Sequence, residues 1–266
     1  MTLVDPQPGS VALITGASSG IGRELASQLA ARGHDTILVA RRRERLEELA
    51  AELSSKYQGQ RSEVIVCDVS DPAQRGQLIS DVTALGVTVD VLVLCAGFGM
   101  GGRFITQEPD RLQLLLRTNI ESTVALAHAF TPAMASRRHG SVLIVSSMAG
   151  AQPMPNFGVY AASKAAVTSF AESLHEELRT EGVSVTALCP GGVSTEFSEV
   201  ADMVRAERRM PRALIASPHD TAAAGLAALA AGRRTAVPGP AVRALVFFGR
   251  HLPRGLWLRA CRRLMA

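Results

Sequence analysis

The sequence of 266 residues predicts an α/β protein with a doubly wound parallel sheet of about seven strands and helices on both faces. Three observations carry this reading. Short, nearly continuous runs of Val, Ile, Leu and Ala recur along the chain, as strands covered on both faces require. Longer stretches of helical periodicity separate them, and strands joined through single helices need crossovers, which make them parallel. A glycine-rich turn joins the first apolar run to the first helical one.

The strand candidates are residues 11–15, 36–40, 64–67, 91–94, 142–146 and 183–188, with a last short one at 235–237. Helices are expected over 21–32, 44–57, 72–85, 109–136 and 161–181. Gly33, Gly86, Gly140 and Gly182 punctuate the helix ends, where a left-handed residue is often needed. No Pro/Ser-rich linker divides the chain, so residues 1–240 read as one domain, followed by a distinct tail over 241–266.

Composition agrees with a globular protein with a sizeable core: 47% hydrophobic, 20% charged and 4% aromatic residues. The formal charge of +4 is placed unevenly, because residues 241–266 hold six arginines and no acid. The remainder is slightly acidic, and no basic residues sit with aromatics in a nucleic-acid-binding module, so nucleic acid is not an expected partner. Cys67, Cys95, Cys189 and Cys261 lie far apart without a CxxC pair, so neither a metal site nor a disulfide framework is expected. A cytoplasmic location follows from that cysteine usage and from residues 1–10, which lack the apolar core of a signal peptide. The longest apolar run, residues 222–231, is too short to span a bilayer.

The first strand runs into Thr15-Gly16-Ala17-Ser18-Ser19-Gly20-Ile21-Gly22. Glycines there allow a sharp turn and close backbone approach, while the following helix points N–H groups and a positive dipole end at an anion. This is a phosphate-binding turn for a dinucleotide. An acid at the end of the second strand would bind the adenosine ribose of NAD. That place holds Ala40, followed by Arg41, Arg42 and Arg43. Arginines at a helix start oppose its dipole and ask for a bound anion, and a guanidinium engages a 2′-phosphate through paired hydrogen bonds. NADP(H) is therefore favoured over NAD(H), with Arg41 the leading contact and Arg42 the second.

Tyr160 and Lys164 lie four apart on an expected helix and share a face. A tyrosine serves as an acid–base near neutral pH only if nearby positive charge stabilises its anion. Ser147 stands thirteen residues before Tyr160, at the carboxyl end of the fifth strand, where open α/β sheets place their sites. Ser146 competes with it, but neighbouring strand residues face opposite ways and the spacing favours Ser147.

Together these motifs resemble the T-G-x-x-x-G-x-G turn and the Ser … Y-x-x-x-K set of the classical short-chain dehydrogenase/reductase (SDR) family, from residue 11 to about 238. The resemblance implies a Rossmann-type fold and hydride exchange between nicotinamide and a carbonyl or alcohol carbon. By it, Tyr160 is the general acid/base, Lys164 lowers its pKa and holds the nicotinamide ribose, Ser147 orients the substrate oxygen, and Asn119 holds a relay water. Tyr160 also counts as a cofactor contact. Asp68 and Val69 line the adenine pocket, although Asp68 also reads as a loop cap before Asp71-Pro72. Ala96 and Gly97 lie beside the cofactor, with Leu94 and Cys95 in place of the family's two asparagines. In Pro190-Gly191-Gly192-Val193-Ser194-Thr195, Val193 reaches the carboxamide and Thr195 the carboxamide or diphosphate, with Pro190 and Gly191 alongside. A homodimer or homotetramer is implied.

The family's substrate lid corresponds to about 194–214, with Phe197, Met203 and Met210. Phe98, Met100, Met148, Met154 and Phe157 flank the cofactor and catalytic motifs, so a small apolar or lipid-like ketone, aldehyde or alcohol is expected, as for a carbonyl reductase. The alternatives are an NAD-dependent dehydrogenase oxidising a hydroxysteroid or other lipid alcohol, and a regulatory protein that binds cofactor without catalysis. The basic amphipathic tail reads as two helices split at Pro253. They either pack over the cleft or against a second subunit, the favoured reading, or touch an anionic membrane at its inner surface.

Overall fold

A computed structural model describes residues 3–197 and 211–264. Seven strands form one parallel sheet in the order β3-β2-β1-β4-β5-β6-β9. They are β1 (Ser10–Thr15), β2 (Asp35–Ala40), β3 (Ser62–Val66), β4 (Thr88–Leu94), β5 (Gly140–Val145), β6 (Val183–Leu188) and β9 (Thr235–Ala236). The order reverses between β1 and β4, which opens a crevice above the carboxyl ends of these two strands. β1, β5 and β6 are buried along their full length, which explains why they read as unbroken apolar runs.

One face of the sheet packs on α1 (Gly20–Ala30), α2 (Arg43–Lys56) and α7 (Pro218–Ala230) around Ile14, Leu25, Leu38, Leu49, Val93 and Leu226. The other packs on α3 (Pro72–Ala84), α5 (Ser122–Arg137) and α6 (Gly158–Arg179) around Leu13, Ile37, Leu92, Leu126, Ile144 and Val167. The alternation of partners along each strand fixes this: Leu13 faces one layer and Ile14 the other.

Three features depart from expectation. The helix anticipated over 109–136 is two helices, α4 (Pro109–Leu116) and α5, joined by a π turn at Arg117–Glu121 in which the Ser122 N–H reaches back to the Arg117 carbonyl. The widened turn costs regular hydrogen bonding and swings Asn119 inward. The alanine-rich run at 222–231 belongs to α7, which opens on Ser217 as N-cap and Pro218 in the first turn. A separate pair of two-residue strands, β7 (Gly192–Val193) and β8 (Ile215–Ala216), brackets the segment that contains the undescribed residues 198–210. Met203 and Met210 of the expected lid lie outside the described residues.

The tail forms two helices, α8 (Pro240–His251) and α9 (Arg254–Leu264), divided at Pro253. Val242 and Val246 of α8 bury against Met148, with Ala151, Leu214 and Leu245 around them. The Trp257 indole of α9 donates to the Pro153 carbonyl at 3.0 Å. Gly249 admits the Gln152 side chain, whose Oε1 lies 1.7 Å from where a Cβ would stand. One side of the tail thus packs on the loop after β5. Phe247 and Phe248 on the other side are 56% and 55% exposed. No helix among the described residues is long and apolar enough to cross a membrane.

Candidate active site

The glycine turn is built by close approaches. A Cβ on Gly22 would stand 2.2 Å from the Gly16 carbonyl oxygen. At Gly16, φ is +71°, and a Cβ would press on the Ala96 backbone at 3.0 Å. Thr15, the last residue of β1, ties the turn to β4. Its hydroxyl donates to the Val93 carbonyl at 3.3 Å and accepts the N–H groups of Cys95 and Ala96 at 3.0 and 3.1 Å. Those bonds hold the segment in which Leu94 and Cys95 stand. Ser19 is the N-cap residue of α1, yet its side chain makes no capping bond and instead accepts from Arg42. The first-turn N–H groups are thus left for an anion.

Arg42 rather than Arg41 reaches the turn. Its guanidinium donates to Ser18 Oγ at 3.0 and 3.3 Å and to Ser19 Oγ at 3.0 Å, and it meets Glu196 at 2.9 Å. Arg41 is more exposed and lies 3.8 Å from the Asp68 carboxylate. Asp68 also accepts the backbone and hydroxyl hydrogens of Ser70 at 2.9 and 2.7 Å, so it does organise its loop, while Asp71 caps α3.

Ser146 and Ser147 directly follow β5 and face opposite ways. Ser146 Oγ donates to the Lys164 carbonyl at 2.9 Å and lies 2.6 Å from Thr168 Oγ1, inside the α6 interface. Ser147 caps a short 3₁₀ turn (Met148–Ala151) and hydrogen-bonds the Tyr160 phenol. Close packing fixes α6 at this point, since a Cβ on Gly150 would stand 2.6 Å from the Lys164 carbonyl oxygen. Tyr160 and Lys164 are 7% and 5% exposed, on the inward face of α6. Burial pushes the Tyr160 phenol up to about 12, against the opposing hydrogen bond from Ser147, and brings the Lys164 ammonium down to about 8. Lys164 Nζ donates to the Val145 carbonyl at 3.0 Å and lies 6.0 Å from the Tyr160 ring centroid. Burial and the Ser147 hydrogen bond, in that order, set the position of the Tyr160 phenol in the chain alone.

Asn119 is buried, and its carboxamide is bonded on every side. Its oxygen accepts the Phe98 N–H at 3.0 Å, and its nitrogen donates to the Phe98 carbonyl and to Ser163 Oγ, each at 3.0 Å. Asn119 thereby pins the loop after β4 to α6 and does not itself line the cavity below.

That cavity, of about 380 Å³, runs across the carboxyl ends of the strands. At one end it is lined by Gly16, Ser18, Ser19, Gly20, Ile21 and Gly22 of the turn, with Arg41, Arg42, Asp68 and Val69. Ala96, Gly97, Pro190, Gly191, Val193 and Thr195 line its middle. Ser147, Tyr160 and Lys164 stand at the other end with Phe98, Met148, Met154, Phe157 and Phe197. Met100 is buried beside Tyr160 without reaching the cavity. The Phe197 ring packs on Tyr160 with centroids 5.8 Å apart. Glu196, which belongs to no motif, also lines it. An anion-ready turn at one end of the cavity and apolar walls at the other suit a dinucleotide.

Comparison with known proteins agrees. Residues 10–204 match the family model for short chain dehydrogenases. The chain is 32% identical to dehydrogenase/reductase SDR family member 7B of Bos taurus, over 94% of this chain and 79% of that protein. It is also 32% identical to the 3-oxoacyl-[acyl-carrier-protein] reductase FabG of Escherichia coli, over 71% of this chain and 76% of that one. A short-chain dehydrogenase from Sphingobium yanoikuyae, solved in complex with NADPH, superimposes with a TM-score of 0.81 at 28% identity, covering 94% of this chain and 95% of that one. The chain belongs to the short-chain dehydrogenase/reductase family, oxidoreductases that act on CH–OH and C=O groups with NAD(P).

Proposed function

We propose that the protein is an NADP(H)-dependent carbonyl reductase for small apolar or lipid-like ketones and aldehydes, with Tyr160 as the general acid. The observation that carries this is the convergence of Ser147, Tyr160 and Lys164 at the apolar end of a cavity whose other end holds the glycine turn and Arg42. The cofactor, when bound, supplies the hydride. The chain's residues do the rest. Ser147 donates to the substrate oxygen and holds it against the Tyr160 hydroxyl. Tyr160 gives its proton to that oxygen as negative charge develops, a transfer that is typically a factor of ~10²–10⁴ in rate. Burial supports the acid role, because a phenol held near 12 stays protonated throughout the neutral range. Lys164, one turn on, brings a cation that would hold the nicotinamide ribose, and Asn119 fixes the Phe98 loop at the catalytic end. Phe98, Met148, Met154, Phe157 and Phe197 exclude water and offer no cation for a substrate carboxylate.

NADP(H) is favoured over NAD(H) because Ala40 ends β2 without a carboxylate while Arg41 and Arg42 both line that end of the cavity. The test is NADPH consumption with a panel of aryl-alkyl and long-chain ketones, with the alcohols identified by chromatography. Consumption with NADPH well above that with NADH is expected. Equal use of NADH, or preference for substrates carrying a carboxylate, would overturn the reading.

The tail supports a second element of the proposal, contact with an anionic membrane surface. Phe247, Phe248 and Leu256 are exposed on helices that carry arginines and no acid. Co-sedimentation with anionic vesicles, weakened by Phe247→Ser/Phe248→Ser, is expected. Binding that is unchanged by the double substitution would remove it.

A further inference from the structure

The two arginines at the adenosine end are already engaged by acids of the chain itself. Arg41 lies 3.8 Å from Asp68, and Arg42 is bonded to Glu196 at 2.9 Å while it holds both turn serines. Glu196 stands directly between Thr195, whose methyl packs where a Gly20 Cβ would be, and Phe197, whose ring lies on Tyr160. Its second carboxylate oxygen meets Arg45 at 2.5 Å, one helical turn beyond Arg42 on α2. Both guanidinium groups and the carboxylate are a little under half exposed, so partners can exchange through water.

We infer that Glu196 sets cofactor selectivity by competing with the 2′-phosphate of NADP(H) for Arg42. The inference rests on the reading of this end as the 2′-phosphate site. A 2′-phosphate carries more charge than a carboxylate and three oxygens that can accept from a guanidinium. It takes Arg42, and Glu196 falls back on Arg45, which keeps it paired. NADH has no 2′-phosphate and leaves the Arg42–Glu196 pair intact. The carboxylate thus lowers NADPH affinity and leaves NADH binding alone.

The experiment is calorimetric titration of the wild type, Glu196→Gln, Arg42→Ala and the double variant with NADPH, NADH and adenosine 2′,5′-bisphosphate. Glu196→Gln is expected to tighten NADPH and the bisphosphate about two- to fivefold, as for loss of a half-exposed ion pair, with NADH unchanged. The gain is expected to vanish in the Arg42→Ala background, since the competition runs through that guanidinium. A gain shared by NADH, no gain, or a gain that survives Arg42→Ala would overturn the inference. Arg42→Ala alone tests the reading beneath it: an unchanged preference for NADPH over NADH would remove the 2′-phosphate site, whatever Glu196 does. The bisphosphate needs no turnover, and thermal melts of each variant report folding separately.

Discussion

Ser146 and Ser147 are neighbours in sequence and belong to opposite sides of β5: one hydroxyl is spent inside the α6 interface, the other points at Tyr160. Their alanine variants should therefore fail differently. Ser147→Ala should cost about 1 kcal/mol for the lost cap on the Ala149 N–H and also lose about 10²–10³ in kcat, as for removal of one donor to a developing oxyanion. Ser146→Ala should cost about 1 kcal/mol of stability and keep most of the activity. Melts and initial rates on the two variants check this, and a reversal of the pattern would assign the catalytic role to Ser146.

Lys164 gives the fold a pH signature. Its pKa is near 8 in the folded chain, against an ordinary value of 10.5, so between those pH values the unfolded chain binds more protons. Stability from this group then rises with pH across that window, and below pH 8 burying the ammonium is a full cost. Lys164→Met should be more stable than wild type at pH 7, with the gap closing as pH approaches 10.5. Denaturant midpoints across this range measure it. A gap independent of pH would mean that Lys164 is not held under strain by burial.

Glycines at two positions should respond in opposite senses. In Gly22→Ala the new methyl would stand 2.2 Å from the Gly16 carbonyl oxygen, so the turn must distort, and dinucleotide binding should be lost. Gly76, exposed in the middle of α3, has nothing within 4 Å of its missing Cβ. Gly76→Ala should stabilise the protein by about 0.5–1 kcal/mol without touching cofactor affinity.

Trp257 is the only tryptophan, and its indole is bonded to the Pro153 carbonyl, next to cavity-lining Met154. Its fluorescence should shift to the red in Val242→Asp/Val246→Asp, which unseats α8 from Met148 and releases the helix behind it. An unshifted spectrum would show that α9 docks independently of α8.

Much of this architecture is legible in the sequence for a simple reason: strands buried on both faces cannot hide their composition, and the glycine turn tolerates no substitute at Gly16 or Gly22. Ser147, Tyr160 and Lys164 are legible because two lie one helical turn apart and the third ends a strand. What escapes the sequence depends on contacts across the fold. The π turn at Asn119 has the same local periodicity as an ordinary helix, and only the bonds to Phe98 and Ser163 explain it. Glu196 is one acid among many until the fold brings it to Arg42 and Arg45, more than a hundred and fifty residues away in the chain. The strand β7 is two residues long and exists only through its pairing with β8.

The central claim, that Tyr160 is the acid of an NADPH-dependent carbonyl reduction, is tested most directly by comparing Tyr160→Phe with the wild type in NADPH titration and in ketone turnover. NADPH affinity should stay within about twofold and turnover should fall by about 10²–10⁴. Turnover near the wild-type rate in Tyr160→Phe, with NADPH still bound, would contradict it.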